Sequence, residues 1–203
     1  MSNLSKKDAI RIITSCAKDY ANNLAGKNLL FLFLSAANHI SGIETKFSKS
    51  NFMHLTGLKT IYLSPIDFYE RCVNGKIKEE DFEFAHDGTT ELKLEVLPIL
   101  IKNNLSAKMI GNYCSTSPKL YTEKLVGNVK GCVGFIHTAD FYVPNTVLKL
   151  DIRDHVTDCA RIIAVFRKNI QEDKYTEITY KAKKLNISDY FLTQPYEYLK
   201  SLI

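Results

Sequence analysis

The chain has 203 residues, of which 45% are apolar and 11% aromatic, and it carries a net charge of +5. This is enough apolar material to bury one domain's core without staples, and it excludes a disordered polymer. No apolar run reaches the roughly 20 residues that span a bilayer, and the start "MSNLSKKDAI" lacks the apolar core and cleavage site of a signal peptide. A cytoplasmic protein with no membrane partner is therefore expected.

The first element expected is an amphipathic helix over "SKKDAIRIITSCAKDYANNLAGK". Ile10, Ile13, Ala17, Tyr20 and Leu24 recur at helical spacing, Ser5 caps the start and Gly26 ends it. "NLLFLFLS" reads as a buried strand, and after the polar break "AANHISG" the alternation of "IETKFS" completes a hairpin. That second strand is expected to continue, through a bulge, into "NFMHLTG". "SPIDFYERCVNG" has a serine cap, proline at the first helical position and a terminal glycine, so it predicts a helix. "TTELKLEVLPILIKNNL" predicts another, kinked or ended by Pro98.

From Ser106 onward the chain reads as short strands: "AKMIGNY", "KLVGNV", "CVGFIH", "FYV", "RIIAVFRK" and "YTEITYKAK", with a last helical turn in "PYEYLKSLI". The expected architecture is one α+β domain over residues 1–203, with N-terminal helices followed by a curved, mainly antiparallel sheet. Charge is uneven. Residues 1–100 hold 12 basic and 12 acidic residues, and residues 101–203 hold 15 basic against 10 acidic, so the whole surplus lies in the strand-rich half. A basic half suits a polyanionic partner, although a surplus of five also serves solubility alone.

Three segments carry candidate chemistry. In an extended "NFMHLTGL", His54 and Thr56 leave the same side of a strand roughly 7 Å apart, an imidazole for proton transfer beside a hydroxyl donor. In "YTEKLVGNVKGCVGF", Lys124 and Asn128 share a face, with Lys130 in the turn beyond; a lysine on a concave sheet can stabilise a phosphorane. In "YVPNTVLKLDIRD", Asn145 and Thr146 follow a proline, and Lys149 and Arg153 flank Asp151. Tyr113 and the polar loop "CSTSPKLY", with Ser115, Thr116 and Lys119, could line a cleft for a nucleic-acid backbone. Each segment also has an ordinary reading as a strand end, a solvated lysine or a turn.

His39, His86 and His155 fall in turns or links, which leaves His137 as the other histidine able to serve. The five cysteines are scattered without a CxxC pair, as free thiols in a reducing compartment would be. No Walker loop, GxSxG, HExxH or EF-hand pattern is present, so no metal site and no cofactor is expected.

In order and spacing, "FMHLTGL", "SPIDFYERC", "KLEVLP…AKMIG", "YTEKLVGN…CVGF" and "YVPNTVLKLDIRD" resemble the fourth phage-associated class of barnase–EndoU–colicin–RelE-like nuclease domains, over roughly residues 10–185. The resemblance implies the helices-then-sheet fold and a metal-independent endoribonuclease of phage, mobile-element or toxin type. It implies RNA as a partner, with an antitoxin or immunity protein as another. It also places His54 and Thr56 in the family's His-x-Thr motif and Lys124 in its lysine-bearing strand, and it supplies no counterpart for the general base of barnase-like enzymes. The competing expectation is a non-catalytic module that binds nucleic acid or protein on the same fold.

Overall fold

A computed structural model of the chain describes residues 4–36, 39–102, 104–183, 190–192 and 194–203. Ala37 and Asn38, in the polar break between the first two strands, lie outside the described residues. Helix α1 (Lys6–Asn23) starts at Ser5, whose hydroxyl accepts from the Asp8 amide at 3.1 Å, and buries the expected stripe of Ile13, Ala17 and Tyr20. The hairpin follows as β1 (Lys27–Ala36) and β2 (His39–Phe47). Helix α3 (Pro65–Val73) carries Ser64 as its cap and proline in its first turn. Helix α4 (Thr89–Leu100) has Pro98 in its last turn, where it withholds one helical amide and the helix ends two residues later. Strands β5 (Met109–Tyr113), β6 (Lys124–Gly127), β7 (Cys132–Thr138), β8 (Phe141–Leu148), β9 (Val156–Asn169) and β10 (Glu177–Lys181) take up the predicted runs. However, β8 continues through Pro144, expected to end a strand before a turn at Asn145 and Thr146, by means of a bulge. Two short strands, β3 (Lys59–Thr60) and β4 (Phe82–Glu83), pair as a separate ribbon.

Two further expectations need correction. The first concerns the sheet, which is not an open curved one laid after N-terminal helices. Strands begin at Lys27, and the order β1-β2-β8-β7-β6-β5-β9 returns to β1, giving a closed seven-stranded barrel among the described residues. Closure comes from β9. Its first half pairs with β5, and its second half pairs with β1 from Lys27↔Asn169 to Phe33↔Ile162. The barrel is mixed, because β2 meets β8 in parallel at Thr45↔Tyr142. A 14-residue β9 is long enough to bridge both neighbours in turn, something its local alternation does not reveal.

The second correction concerns "NFMHLT", which is helix α2 (Asn51–Thr56) and not the continuation of a strand. Phe52 and Leu55, three apart, are buried, and Gly57 closes the helix at φ 69° in the left-handed conformation that glycine adopts freely.

All seven barrel strands contribute to one hydrophobic core, including Phe31, Phe47, Val147, Phe135, Val126, Ile110 and Ile162, so that core is the barrel interior. It continues without a break into the helices. Phe31 and Phe135 stand 6.5 Å apart, Phe135 and Phe47 6.0 Å, Phe47 and Tyr20 6.3 Å, and Tyr20 and Phe52 5.3 Å. Each buried ring contributes about 1.5–3 kcal/mol of apolar burial. The helical layer thus plugs the barrel. On its outer side, Leu30, Leu32, Ile163 and Phe166 of β1 and β9 are covered by Tyr175, by Leu192 of the two-residue strand β11 (Phe191–Leu192) and by Leu199. A smaller outer cluster on β5–β8 joins Leu125, Cys132 and Ile152 to Met109, Leu148 and Leu150. Burial pushes the thiols of Cys16, Cys72 and Cys132 up to about 12, while Cys114 and Cys159 are exposed; all five are free.

Candidate active-site cleft

The first turns of α4, the loop 114–121 and the end of β8 enclose a cleft of about 550 Å³. Its polar lining is Asp87, Thr89, Lys93, Ser117, Thr146, Lys149 and His155, set among Leu92, Leu120 and Leu148. Local chemistry fixes each wall. Asp87 accepts from the Thr89 amide at 3.0 Å and the Thr89 hydroxyl at 2.7 Å, and these bonds hold its carboxyl below the usual range. They also order the turn into α4. Thr90 donates to the Gly57 carbonyl at 2.7 Å and so ties α4 to the end of α2.

Lys93 is the central cation. Its ammonium lies 3.4 Å from the His54 carbonyl at the C-terminal end of α2, where helix carbonyls concentrate negative charge. Burial lowers its pKa and Asp87 raises it, with burial the larger effect. A half-desolvated ammonium held mainly by a neutral carbonyl is a ready partner for an oxyanion. Lys149 adds a second positive charge. It pairs with Glu95 at 2.6 Å, but both side chains are well exposed, so the pair is weak and exchangeable. The Nδ1 atom of His155, which lines the cleft, is buried and has no hydrogen-bond partner among the described residues. A neighbouring cavity of about 390 Å³ shares Lys149 and Leu150 with the cleft and extends it past Glu95 and Ile99 to Lys130 and Asp151.

Of the residues singled out from sequence, Thr146 and Lys149 line the cleft and Lys130 its extension. Tyr113 and Ser115 act behind it. The Tyr113 hydroxyl donates to the Pro118 carbonyl and Ser115 to the Ser117 carbonyl at 2.7 Å, which folds the loop that presents Ser117. Thr116 and Lys119 are exposed on the same loop. Asn145 is the extra residue of a β8 bulge between Pro144 and Thr146. It accepts from Thr122 at 2.8 Å and donates to the Tyr121 carbonyl at 2.5 Å, clamping the loop's far end. Asn128 organises the β6–β7 turn, donating to the Ser106 carbonyl at 3.0 Å and accepting from the Lys130 amide at 2.7 Å. Arg153 is occupied by Asp151 at 2.6 Å on the surface.

None of the residues expected to form the catalytic set, His54, Thr56 and Lys124, lines this cleft. Successive turns of a helix place positions i and i+2 roughly 200° apart, so in α2 His54 is exposed while Thr56 is fully buried. The Thr56 hydroxyl donates to the Met53 carbonyl at 2.7 Å and accepts from the Leu58 amide at 3.1 Å, which satisfies it as the helix terminator. Lys124 lies among Asn112, Asp158 and Tyr142. Its ammonium donates to Asn112 at 2.6 Å, Asn112 donates to Asp158 at 3.0 Å, and the Tyr142 ring centroid is 5.8 Å away. Burial lowers the Lys124 pKa as well.

Sequence reasoning missed Lys93, Ser117 and His155 as members of one site. Lys93 sits at a polar position of an apolar helix, which is the only local signal it offers; His155 reads as a turn residue.

With that geometry in place, residues 12–184 match the family model described as PBECR4, phage-Barnase-EndoU-ColicinE5/D-RelE like nuclease 4. The chain belongs to this family. PBECR4 is a family of phage-associated nuclease domains of the barnase–EndoU–colicin–RelE type, and its model covers most of the chain, from α1 through β10. Comparison with curated proteins and with solved structures gives no match. Among the described residues of this PBECR4 chain, no three His, Cys, Asp or Glu side chains cluster as metal ligands, and no helix is long and apolar enough to cross a membrane.

Proposed function

We propose that this PBECR4 chain is an endoribonuclease that cleaves RNA in the cleft between α4 and β8, through the substrate's own 2′-hydroxyl. That oxygen attacks the adjacent phosphorus, the bond to the 5′-oxygen breaks, and the products are a 2′,3′-cyclic phosphate and a 5′-hydroxyl. Lys93 and Lys149 take the charge of the non-bridging oxygens, with Thr146 and Ser117 as hydroxyl donors. His155 exchanges the proton, accepting from the 2′-oxygen or donating to the leaving 5′-oxygen. The tethered nucleophile makes proton transfer and charge neutralisation the main demands on the protein. The observation that carries the reading is the meeting of a half-buried lysine, a second lysine and a histidine in one cleft.

The test is cleavage of bulk RNA and of single-stranded DNA in EDTA by the wild type and by His155→Ala, Lys93→Ala and His54→Ala. RNA is expected to be cut and DNA, which lacks the nucleophile, to be spared. His155→Ala should lose about 10²–10⁴-fold and Lys93→Ala about 10²–10³-fold. A loss confined to His54→Ala would move the proton shuttle to α2. DNA cleavage at a comparable rate would refute the 2′-hydroxyl route, and inertness of the wild type with RNA binding retained would make the chain a binding module.

A further inference from the structure

A second concave surface, of about 590 Å³, shares no residue with the cleft. Its lining is Lys108, Met109, Arg161, Tyr180, Lys181 and Lys183, four cations and, among the described residues, no acidic one. It lies along β9 at the junction of two neighbours. The Ile162 amide donates to the Lys108 carbonyl at 2.9 Å, and the Ala182 amide donates to the Ile163 carbonyl at 2.7 Å, so the lead-in to β5 and the exit from β10 meet there.

None of these cations forms an ion pair among the described residues, yet two are held in place. The Lys108 ammonium sits 3.9 Å from the Tyr180 ring centroid, and Arg161 donates to the Lys183 carbonyl at 3.4 Å. Groups that are ordered but lack a counter-charge mark a surface awaiting anions at several points.

We infer that this groove is an exosite for the phosphate backbone of single-stranded RNA, holding the substrate's flank while the cleft acts on another phosphodiester. The inference rests on the proposed RNA reading. Two observations favour RNA over an acidic protein. The four cations without a counter-charge are spread along one groove, the arrangement that tracks a phosphate backbone. It also borders the same outer cluster as the cleft: Met109, the cross-strand neighbour of Arg161, and the cleft residues Leu148 and Leu150 all pack against Leu125, Cys132 and Ile152. One strand can therefore lie across both.

The test uses the full chain and the variant Arg161→Gln/Lys181→Gln/Lys183→Gln. All three side chains are exposed, and Lys108 is kept because it stacks on Tyr180. Binding of a single-stranded RNA of about 20 nucleotides, longer than one such domain's usual site, is measured across salt concentrations. The slope of log affinity against log salt should flatten by about 2, near 0.7 for each lost phosphate contact. The ratio of kcat/KM on that RNA to kcat/KM on a dinucleotide should fall about tenfold or more. An unchanged slope overturns the exosite. So does displacement of the RNA by polyglutamate of equal charge as readily as by unlabelled RNA, which would make the groove a site for acidic protein. If the wild type cuts nothing, the salt slope still decides: a flattened slope keeps the exosite while the nuclease reading fails.

Discussion

Thr56 and Lys93 separate two kinds of polar residue that look alike in sequence. The Thr56 hydroxyl is fully buried and spends both of its bonds on its own helix end. Thr56→Val should therefore cost about 1–3 kcal/mol, seen as a lower urea midpoint at an unchanged m-value, while folded protein keeps its RNA cleavage. A large loss of kcat at unaltered stability would restore Thr56 to the reaction. Lys93 should behave in the opposite way. Burial lowers its pKa, so it sheds its proton below the ordinary lysine range and phosphate binding weakens as pH rises. The alkaline limb of kcat/KM for RNA should come earlier than for an unperturbed lysine, and Lys93→Arg should move that limb upward. If Lys93→Arg leaves the limb where it is, another group sets it.

At the scale of elements, the join between α2 and α4 decides how the cleft is held. A Cβ on Gly57 would stand 2.7 Å from the Lys93 Cδ, and the residue's φ of 69° already resists any side chain. Gly57→Ala should cost about 1 kcal/mol in backbone strain and also turn Lys93 away, so stability and RNA affinity fall together. Gly75, at φ 66° with nothing within 4 Å, is the matched control, and Gly75→Ala should lower stability alone. Thermal unfolding and RNA titration of the two variants check this. The same region marks where the sequence misleads. Phe52, His54 and Thr56 alternate as a strand would, and a six-residue helix is too short for its own period to compete. The longer α1 and α3 carry serine caps, and α1, α3 and α4 all repeat apolar positions over several turns, so they were legible. The strands of the second half were legible too, as short β-branched and aromatic runs between turn residues. In the site, Thr146 and Lys149 were singled out in a segment read as a turn after Pro144, which is the bulged second half of β8 and its exit. Lys93 and His155, 62 positions apart, announce nothing until α4 and the end of β8 face each other.

For the molecule as a whole, closure of the sheet was invisible because pairing partners cannot be read from the pattern of one strand. β1 and β9 each look like an ordinary buried strand, and only their register shows a ring. The tail is a second whole-molecule feature. Tyr196 donates to Glu44 at 2.8 Å and Tyr175 to the same carboxylate at 2.9 Å, while Leu192 and Leu199 cover Leu30 and Leu32. Ending the chain after Lys183 should uncover that face and cost at least about 3 kcal/mol, or about 6–12 °C in Tm, although the family match ends at residue 184. An unshifted Tm would mean that the tail is dispensable.

The seam of Lys27–Phe33 with Ile162–Asn169 also imposes a timetable on synthesis. When the residues around the cleft have left the ribosome, the strand that locks the ring has not. The last residue of the cleft, His155, immediately precedes that strand, so the walls of the cleft are made before the ring that carries them can close.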